Sequence, residues 1–332
     1  MALTLLALCG CKHHYVYEAE DGPLPPTPKE RHVNVRFIFD KNMLRQDAFA
    51  SEVESVRLYI LDSAGNVIKN ISERGDALKA EGYSINIDDL DLAPGGYSLL
   101  AWCGNGAGTH FTIGDGKHHS AITATLGREH DAEGNATSSR CLDGLFHGRT
   151  DNVAVGAEGN YDFTVPLVKN TNEFRIVLQR TDGQPIDMND YTVSVTADNG
   201  TIESDNSLRD DETINYFAYE TIPGSTETAR DGEEEEATYD SSTWCISTSR
   251  LVEGEDVRVL VKGTDGEEIV NLSVIELALE AKEGNGFKGD NQEYLDCQDL
   301  YELIFPLESE GRSLGASICI NDWWIIRQIS DL

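Results

Sequence analysis

From His32 onward apolar and polar positions alternate along the chain, with Val33, Val35, Phe37 and Phe39 separated by Asn34, Arg36 and Ile38. A period of two puts successive side chains on opposite faces, so this segment is expected to be a strand with one buried face. Similar runs recur at 56–61, 97–103, 110–113, 121–126 and 161–168, and a second series occupies 173–179, 191–197, 257–263, 268–280, 300–307 and 318–329. Ser63-Ala64-Gly65-Asn66, Pro94-Gly95-Gly96, Asp198-Asn199-Gly200 and Thr264-Asp265-Gly266 supply the backbone geometry that tight reversals need between such runs. Asn321-Asp322 is expected to close a hairpin between 317–320 and 323–326. Helical signal is confined to a turn or two at 46–52, where Asp47 is placed to cap, and at 292–299. Many short strands with regular turns predict an all-β chain of β-sandwiches. The series breaks at Lys169-Asn170-Thr171, which predicts one sandwich over 32–168 and a second over 169–332.

The N-terminus follows a different pattern. Ala2 to Cys11 form a short apolar block, too short to span a bilayer and similar to the apolar region of a secretory signal. It ends in Leu8-Cys9-Gly10-Cys11, which looks like a lipobox, with the small Gly10 placing Cys11 as the lipidated residue. Residues 1–11 are thus expected to be a lipoprotein signal peptide, with acyl chains on Cys11 as the membrane anchor. Residues 12–31 contain Pro23, Pro25, Pro26 and Pro28, a composition suited to an extended, semi-rigid linker.

Charge narrows the partners. The 332 residues carry 59 Asp and Glu against 26 Lys and Arg, a formal net charge of −33, with a pI near 4.4. Nucleic-acid binding needs a basic footprint that this chain lacks, which excludes that class. Residues 201–240 concentrate thirteen acidic side chains, including Glu233 to Glu236, against Arg209 and Arg230. Runs of like charge are expected in solvated loops, and the spacing of a calcium-binding loop is missing here.

Motifs with catalytic potential do not sit in the context their chemistry requires. Gly311-Arg312-Ser313-Leu314-Gly315 fits G-x-S-x-G, but a strand-like run follows where a nucleophile elbow needs a helix. Gly104-Asn105-Gly106-Ala107-Gly108 lacks the third glycine of a dinucleotide fingerprint. The histidines are scattered without zinc-ligand spacing. No catalytic residue, metal site or cofactor is therefore expected. Setting aside Cys9 and Cys11 leaves Cys103, Cys141, Cys245, Cys297 and Cys319, an odd number, so at least one thiol is expected to be free.

Several stretches together resemble a known family. They are the segment from Phe39-Asp40-Lys41-Asn42-Met43-Leu44 to Gly65, Pro94-Gly95-Gly96-Tyr97 through Trp102-Cys103-Gly104, Leu145-Phe146-His147-Gly148, Tyr294-Leu295-Asp296-Cys297-Gln298-Asp299 and Ile320-Asn321-Asp322-Trp323. They resemble the FimB-like anchor subunits of type V fimbriae. The resemblance implies two tandem transthyretin-like β-sandwiches with Greek-key topology. It also implies a non-enzymatic lipoprotein of the outer membrane, exposed at the surface, that holds fimbrial stalk subunits by strand addition. On that basis 33–39 is expected to be an N-terminal edge strand, and Trp323, Trp324, Ile325 and Ile326 are the candidate stalk contacts. The alternative is a glycan-binding surface lipoprotein that stacks sugars on Trp244, Trp323 and Trp324.

Overall fold

The computed structural model describes residues 30–90, 92–104, 110–180, 182, 184–228, 237–307, 316–320 and 323–327. The first half supplies β1 (Arg31–Lys41), β2 (Ser55–Leu61), β3 (Val67–Arg74), β4 (Ser84–Asn86), β5 (Gly95–Gly104) and β6 (Phe111–Ile113). It continues with β7 (Ala124–Leu126), β8 (Glu129–His130), β9 (Ala136–Ser138), β10 (Leu145–Val155) and β11 (Gly159–Lys169). The second half supplies β12 (Thr171–Arg180), β13 (Tyr191–Ala197), β14 (Thr201–Ile202), β15 (Ile214–Phe217), β16 (Glu220–Thr228) and β17 (Ala237–Ser249). It ends with β18 (Arg258–Gly263), β19 (Glu268–Ser273), β20 (Leu300–Leu307), β21 (Ala316–Ile320) and β22 (Trp323–Arg327). Three helices, α1 (Phe49–Glu52), α2 (Val274–Asn285) and α3 (Asn291–Asp296), complete a mostly β chain, in accord with the expected class.

Seven strands form one sheet in the order β3-β2-β5-β10-β11-β1-β4. β10 and β11 share only the pairs from Phe146↔Lys169 to Gly148↔Leu167, and the ladder ends beside Pro166, which has no N–H for a further rung. A Cβ on Gly148 would lie 2.7 Å from the Pro166 carbonyl oxygen, so only glycine fits this corner. Past the corner the two parts of the sheet enclose one core, with Val33, Val35, Phe37 and Val165 packed with Leu58, Ile60, Leu99 and Val155. β2 and β5 are buried on both faces. Tyr59, Leu61, Leu100 and Trp102 turn away from that core and pack with Ile122, Ala124 and Ile202, which explains the unbroken apolar stretches of these two strands.

The second half builds two six-stranded sheets, β16-β17-β12-β20-β21-β22 and β19-β18-β13-β15-β9-β8. Phe174, Ile176, Leu178 and Ile246 of the first pack with Val193, Val195, Tyr216 and Val259 of the second, and Leu277, Ala278 and Tyr294 close one end.

Neither half is complete without the other. β8 and β9, from the first half, extend the second sandwich through parallel pairing of β9 with β15. In return β14 joins β7 and β6 in a small three-stranded sheet over the first half. The break at residue 169 thus separates chain segments, while residues 129–138 pair across it. The turn at Asn199-Gly200 carries the chain between sheets and does not close the expected hairpin, because β14 pairs with β7 and not with β13. Asn199 is buried, donating from Nδ2 to the Arg250 carbonyl (2.9 Å) and accepting from the Tyr216 hydroxyl (2.6 Å).

Other expectations are also revised. The run at 268–280 is strand only to Ser273, after which α2 begins. Ser273 accepts the Glu276 N–H (3.3 Å) and Gly286 ends the helix at φ +71°, so Ser273…Glu276 and a terminal glycine were the helix signals within an apolar run. Residues 201–240 were expected as loop but contain β14, β15, β16 and the start of β17. Their charge is accommodated partly by pairing, since Arg128 contacts Asp211 and Glu212, each at 2.8 Å. β1 is not an edge strand, because it lies between β11 and β4. Asp47 does not take the expected cap position, which Ala48 holds, although its carboxylate accepts the Phe49 N–H (3.1 Å) and the Phe39 N–H (3.0 Å).

A buried polar network joins the halves. One residue, Asn170, separates β11 from β12 and has no exposed surface. Its N–H donates to the Leu145 carbonyl (2.6 Å), its Nδ2 to Asn206 Oδ1 (2.6 Å), and its Oδ1 accepts from Arg250 (3.0 Å). Arg250 is paired with Asp296 at 2.8 Å, with both side chains almost fully enclosed. Burial lowers the Arg250 pKa, and Asp296 offsets part of that effect. Beside this network His147 packs edge-on against Trp102 (4.8 Å between centroids) and donates from Nε2 to the Ser204 carbonyl (3.0 Å). That bond requires a proton on Nε2, which the neutral Nε2–H tautomer supplies.

Asp296→Asn leaves Arg250 charged and uncompensated and is expected to cost about 3–5 kcal/mol in denaturant unfolding, while Arg250→Met with Asp296→Leu is expected to be nearly neutral. Burial also holds the His147 pKa at about 4, well below 6.5, so the unfolded chain binds a proton in that window that the folded chain refuses. Stability is therefore expected to fall by about 3 kcal/mol as pH drops from 6.5 to 4, and His147→Gln should flatten that dependence in a chemical-denaturation series.

Candidate partner interface

Two ends of the fold position the features that the sequence singled out. Cys11 and the proline-rich segment lie outside the described residues. Where the chain enters the fold, β1 is tightly held. The Arg31 guanidinium donates to the carbonyls of Leu92 (2.6 Å) and Leu90 (2.8 Å). Asp88 accepts the Val33 N–H (2.6 Å) and pairs with His32 (2.8 Å), which raises the His32 pKa. β1 then pairs in parallel with β11 from Arg31↔Gly159 to Ile38↔Pro166, with Val33, Val35, Phe37 and Phe39 in the core. Strand alternation alone foresaw that buried face.

The other end is a sheet edge. The expected C-terminal hairpin forms, pairing β21 with β22 from Ile320↔Trp323 to Ala316↔Arg327. Trp323, Trp324, Ile325 and Ile326 occupy four successive positions of β22, which among the described residues has no strand on its far side. α2 packs against β21 and β22. An unpaired edge offers a row of backbone donors and acceptors to an incoming strand. The other edge of the same sheet, β16, contains Pro223 and Gly224, and the edge strand β3 of the first half carries Lys69, Glu73 and Arg74. Proline and charge both discourage strand addition, whereas β22 has its single charge at Arg327.

The remaining candidates scatter. Trp244 is buried in the second core and cannot stack on a ligand. Ser313 and the loop 105–109 lie outside the described residues. Cys103, Cys245 and Cys297 are buried free thiols and Cys141 is an exposed one. Desolvation raises the Cys103 pKa, so it serves as a small apolar core residue. A cavity of about 420 Å³ opens between the halves, lined by Met43, Cys141, Lys169, Glu173, Tyr219 and Asp299. Lys169 and Asp299 are paired at 2.7 Å across it, so its charges are already satisfied within the chain. No side chain found there suggests a ligand, and the edge of β22 is the stronger candidate for contact with another molecule.

Comparison with known proteins agrees with this architecture. No curated protein sequence matches the chain significantly. Among solved structures, a candidate adhesin from Bacteroides thetaiotaomicron is 28% identical, with 92% of this chain and 100% of that one covered at a TM-score of 0.74. A candidate polysaccharide-binding protein from the same organism is 25% identical over 91% of this chain and 100% of that one, also at 0.74. The fimbrial anchor protein Mfa2 from Porphyromonas gingivalis is 17% identical over 90% of this chain and 99% of that one, at 0.64, and shares the fold. The family model for fimbrillin-A associated anchor proteins Mfa1 and Mfa2 matches residues 20–329, and the chain belongs to that family.

Proposed function

We propose that this protein is a non-enzymatic lipoprotein that anchors a fimbrium to the outer membrane. In this reading acyl chains on Cys11 tether the chain, the proline-rich linker spaces it from the bilayer, and β22 receives a strand from a stalk subunit. The observation that carries the reading is an edge strand, Trp323–Arg327, that among the described residues has no strand on its far side and lies at the opposite end of the chain from the proposed tether. Strand addition suits such an edge because main-chain bonds supply affinity while alternating side chains set specificity.

The firm seating of β1 supports the same reading from the membrane side. A strand whose Val33, Val35, Phe37 and Phe39 are core residues, and whose entry is held by Arg31 and Asp88, stays with the fold while the linker before it bears the tether. The net charge of −33 suits a protein that is attached through lipid, since it would keep the folded part away from anionic headgroups. Glycan binding has less support. Trp244, one of the three tryptophans that motivated it, is a core residue.

Two experiments test the proposal. Deleting residues 323–332 is expected to release stalk subunits into the medium while the truncated protein stays in the membrane fraction, and unchanged retention of the stalk would overturn the role of β22. Cys11→Ala is expected to abolish incorporation of labelled palmitate and to move the protein out of the outer-membrane fraction. Persistence in that fraction would overturn lipid tethering at this residue.

A further inference from the structure

If the anchor reading is correct, tension enters before Arg31 and leaves through the C-terminal hairpin. The path between those points crosses two strand pairs, and both are parallel. β1 pairs with β11 over eight consecutive positions, Arg31↔Gly159 to Ile38↔Pro166. β12 pairs with β20 over eight more, Glu173↔Leu300 to Arg180↔Leu307. Such pairs are uncommon neighbours in a chain that is otherwise largely antiparallel, and their placement matters mechanically.

In each pair the strand nearer the tether is loaded at its N-terminal end and its partner at its C-terminal end. β1 is pulled at Arg31, while β11 is pulled at Lys169, where the chain continues through Asn170 into β12. β12 is then pulled at Thr171, while β20 is pulled at Leu307, which leads on to β21. For parallel strands these forces point in opposite directions along the strand axis. All rungs of the ladder are therefore loaded together, and separation requires the strands to slide past each other. Sliding would drag Val33, Val35, Phe37 and Val165 through one core and Phe174, Ile176, Leu303 and Phe305 through the other. In the second pair Phe174 and Tyr301 stack with centroids 5.1 Å apart.

The connection between the two pairs has no slack. Asn170 is the only residue between β11 and β12, and it is bonded to Leu145, Asn206 and Arg250. Load thus passes directly from one pair to the next.

We infer that these two parallel pairs act in series as shear-loaded clamps that let the chain carry tension between its two ends. The β21–β22 hairpin behaves differently. Arg327 pairs with Ala316, so a pull on the chain beyond Arg327 peels the hairpin one rung at a time. A partner that grips β22 along its whole length avoids that weak direction.

Single-molecule pulling on the full chain tests the clamps. One handle is attached ahead of Glu30 and the other at the C-terminus. The comparison geometry keeps the first handle and moves the second to Ala157, in the turn next to Gly159, so that β1 is peeled from β11 rung by rung. After early low-force release of the β21–β22 hairpin, the end-to-end pull is expected to break at a force at least about twofold above the peeling geometry, because the rungs must fail together. Equal forces in the two geometries would overturn the clamps. The inference takes only the direction of load from the anchor reading, and the two fail separately. A preserved force ratio with fimbriae retained after loss of 323–332 would leave the clamps standing and remove the proposed stalk contact. A lost ratio with fimbriae released would do the reverse.

Discussion

Arg250 is buried where the two halves of the molecule meet, and the contacts that compensate its charge draw together distant parts of the chain. A guanidinium withdrawn from water is costly unless charge and hydrogen bonds surround it. Asp296 supplies the charge, Asn170 accepts one of its donors, and the Arg250 carbonyl takes the Asn199 amide. These three partners come from the end of α3, from the one-residue link between β11 and β12, and from the crossing between β13 and β14. One buried residue therefore links the end of α3 to two points at which the chain passes from one sandwich to the other.

The strand exchange adds to this constraint. β8 and β9 leave the first half to complete the second, and β14 returns the contribution. Domains joined by an exposed linker move relative to one another by default. Here the segments that would have to separate are rungs of each other's sheets, and the link itself is a buried asparagine. Such a joint suits the proposed role, in which load passes from one end of the chain to the other.

Much of the fold was legible in the residues. The alternation at Val33 to Phe39 placed the buried face of β1, and Gly65 and Gly266, at φ +84° and +81°, turn the hairpins their sequences foretold. Misreadings arose where two patterns coincide or where the partner is distant. Val274 to Leu279 are apolar enough to read as strand, but Ser273 and Glu276 start a helix, and Ile275, Leu277 and Ala278 face one core. Asn199-Gly200 carries a hairpin signal, yet the strand after it pairs with a segment 76 residues earlier in the chain, Thr201 opposite Thr125. The acidic stretch was read as loop because the cation that neutralises Asp211 and Glu212, Arg128, is far away in sequence.

The sequence by itself determined the class of fold, many but not all of the strands of both cores, the C-terminal hairpin and the excess of negative charge, because periodicity and turn chemistry act over a few residues; β10, β15 and β17, which carry Phe146, Tyr216 and Ile246 into the cores, stayed hidden. Only the tertiary structure decided that β1 is an interior strand, that its pairing with β11 and that of β12 with β20 are parallel, and that the halves exchange strands around Arg250. Those outcomes depend on contacts between residues up to about 130 positions apart, such as Asn34 with Asp162. The free energy of such contacts comes from removing apolar and charged groups from water together, and no local pattern records which groups will meet.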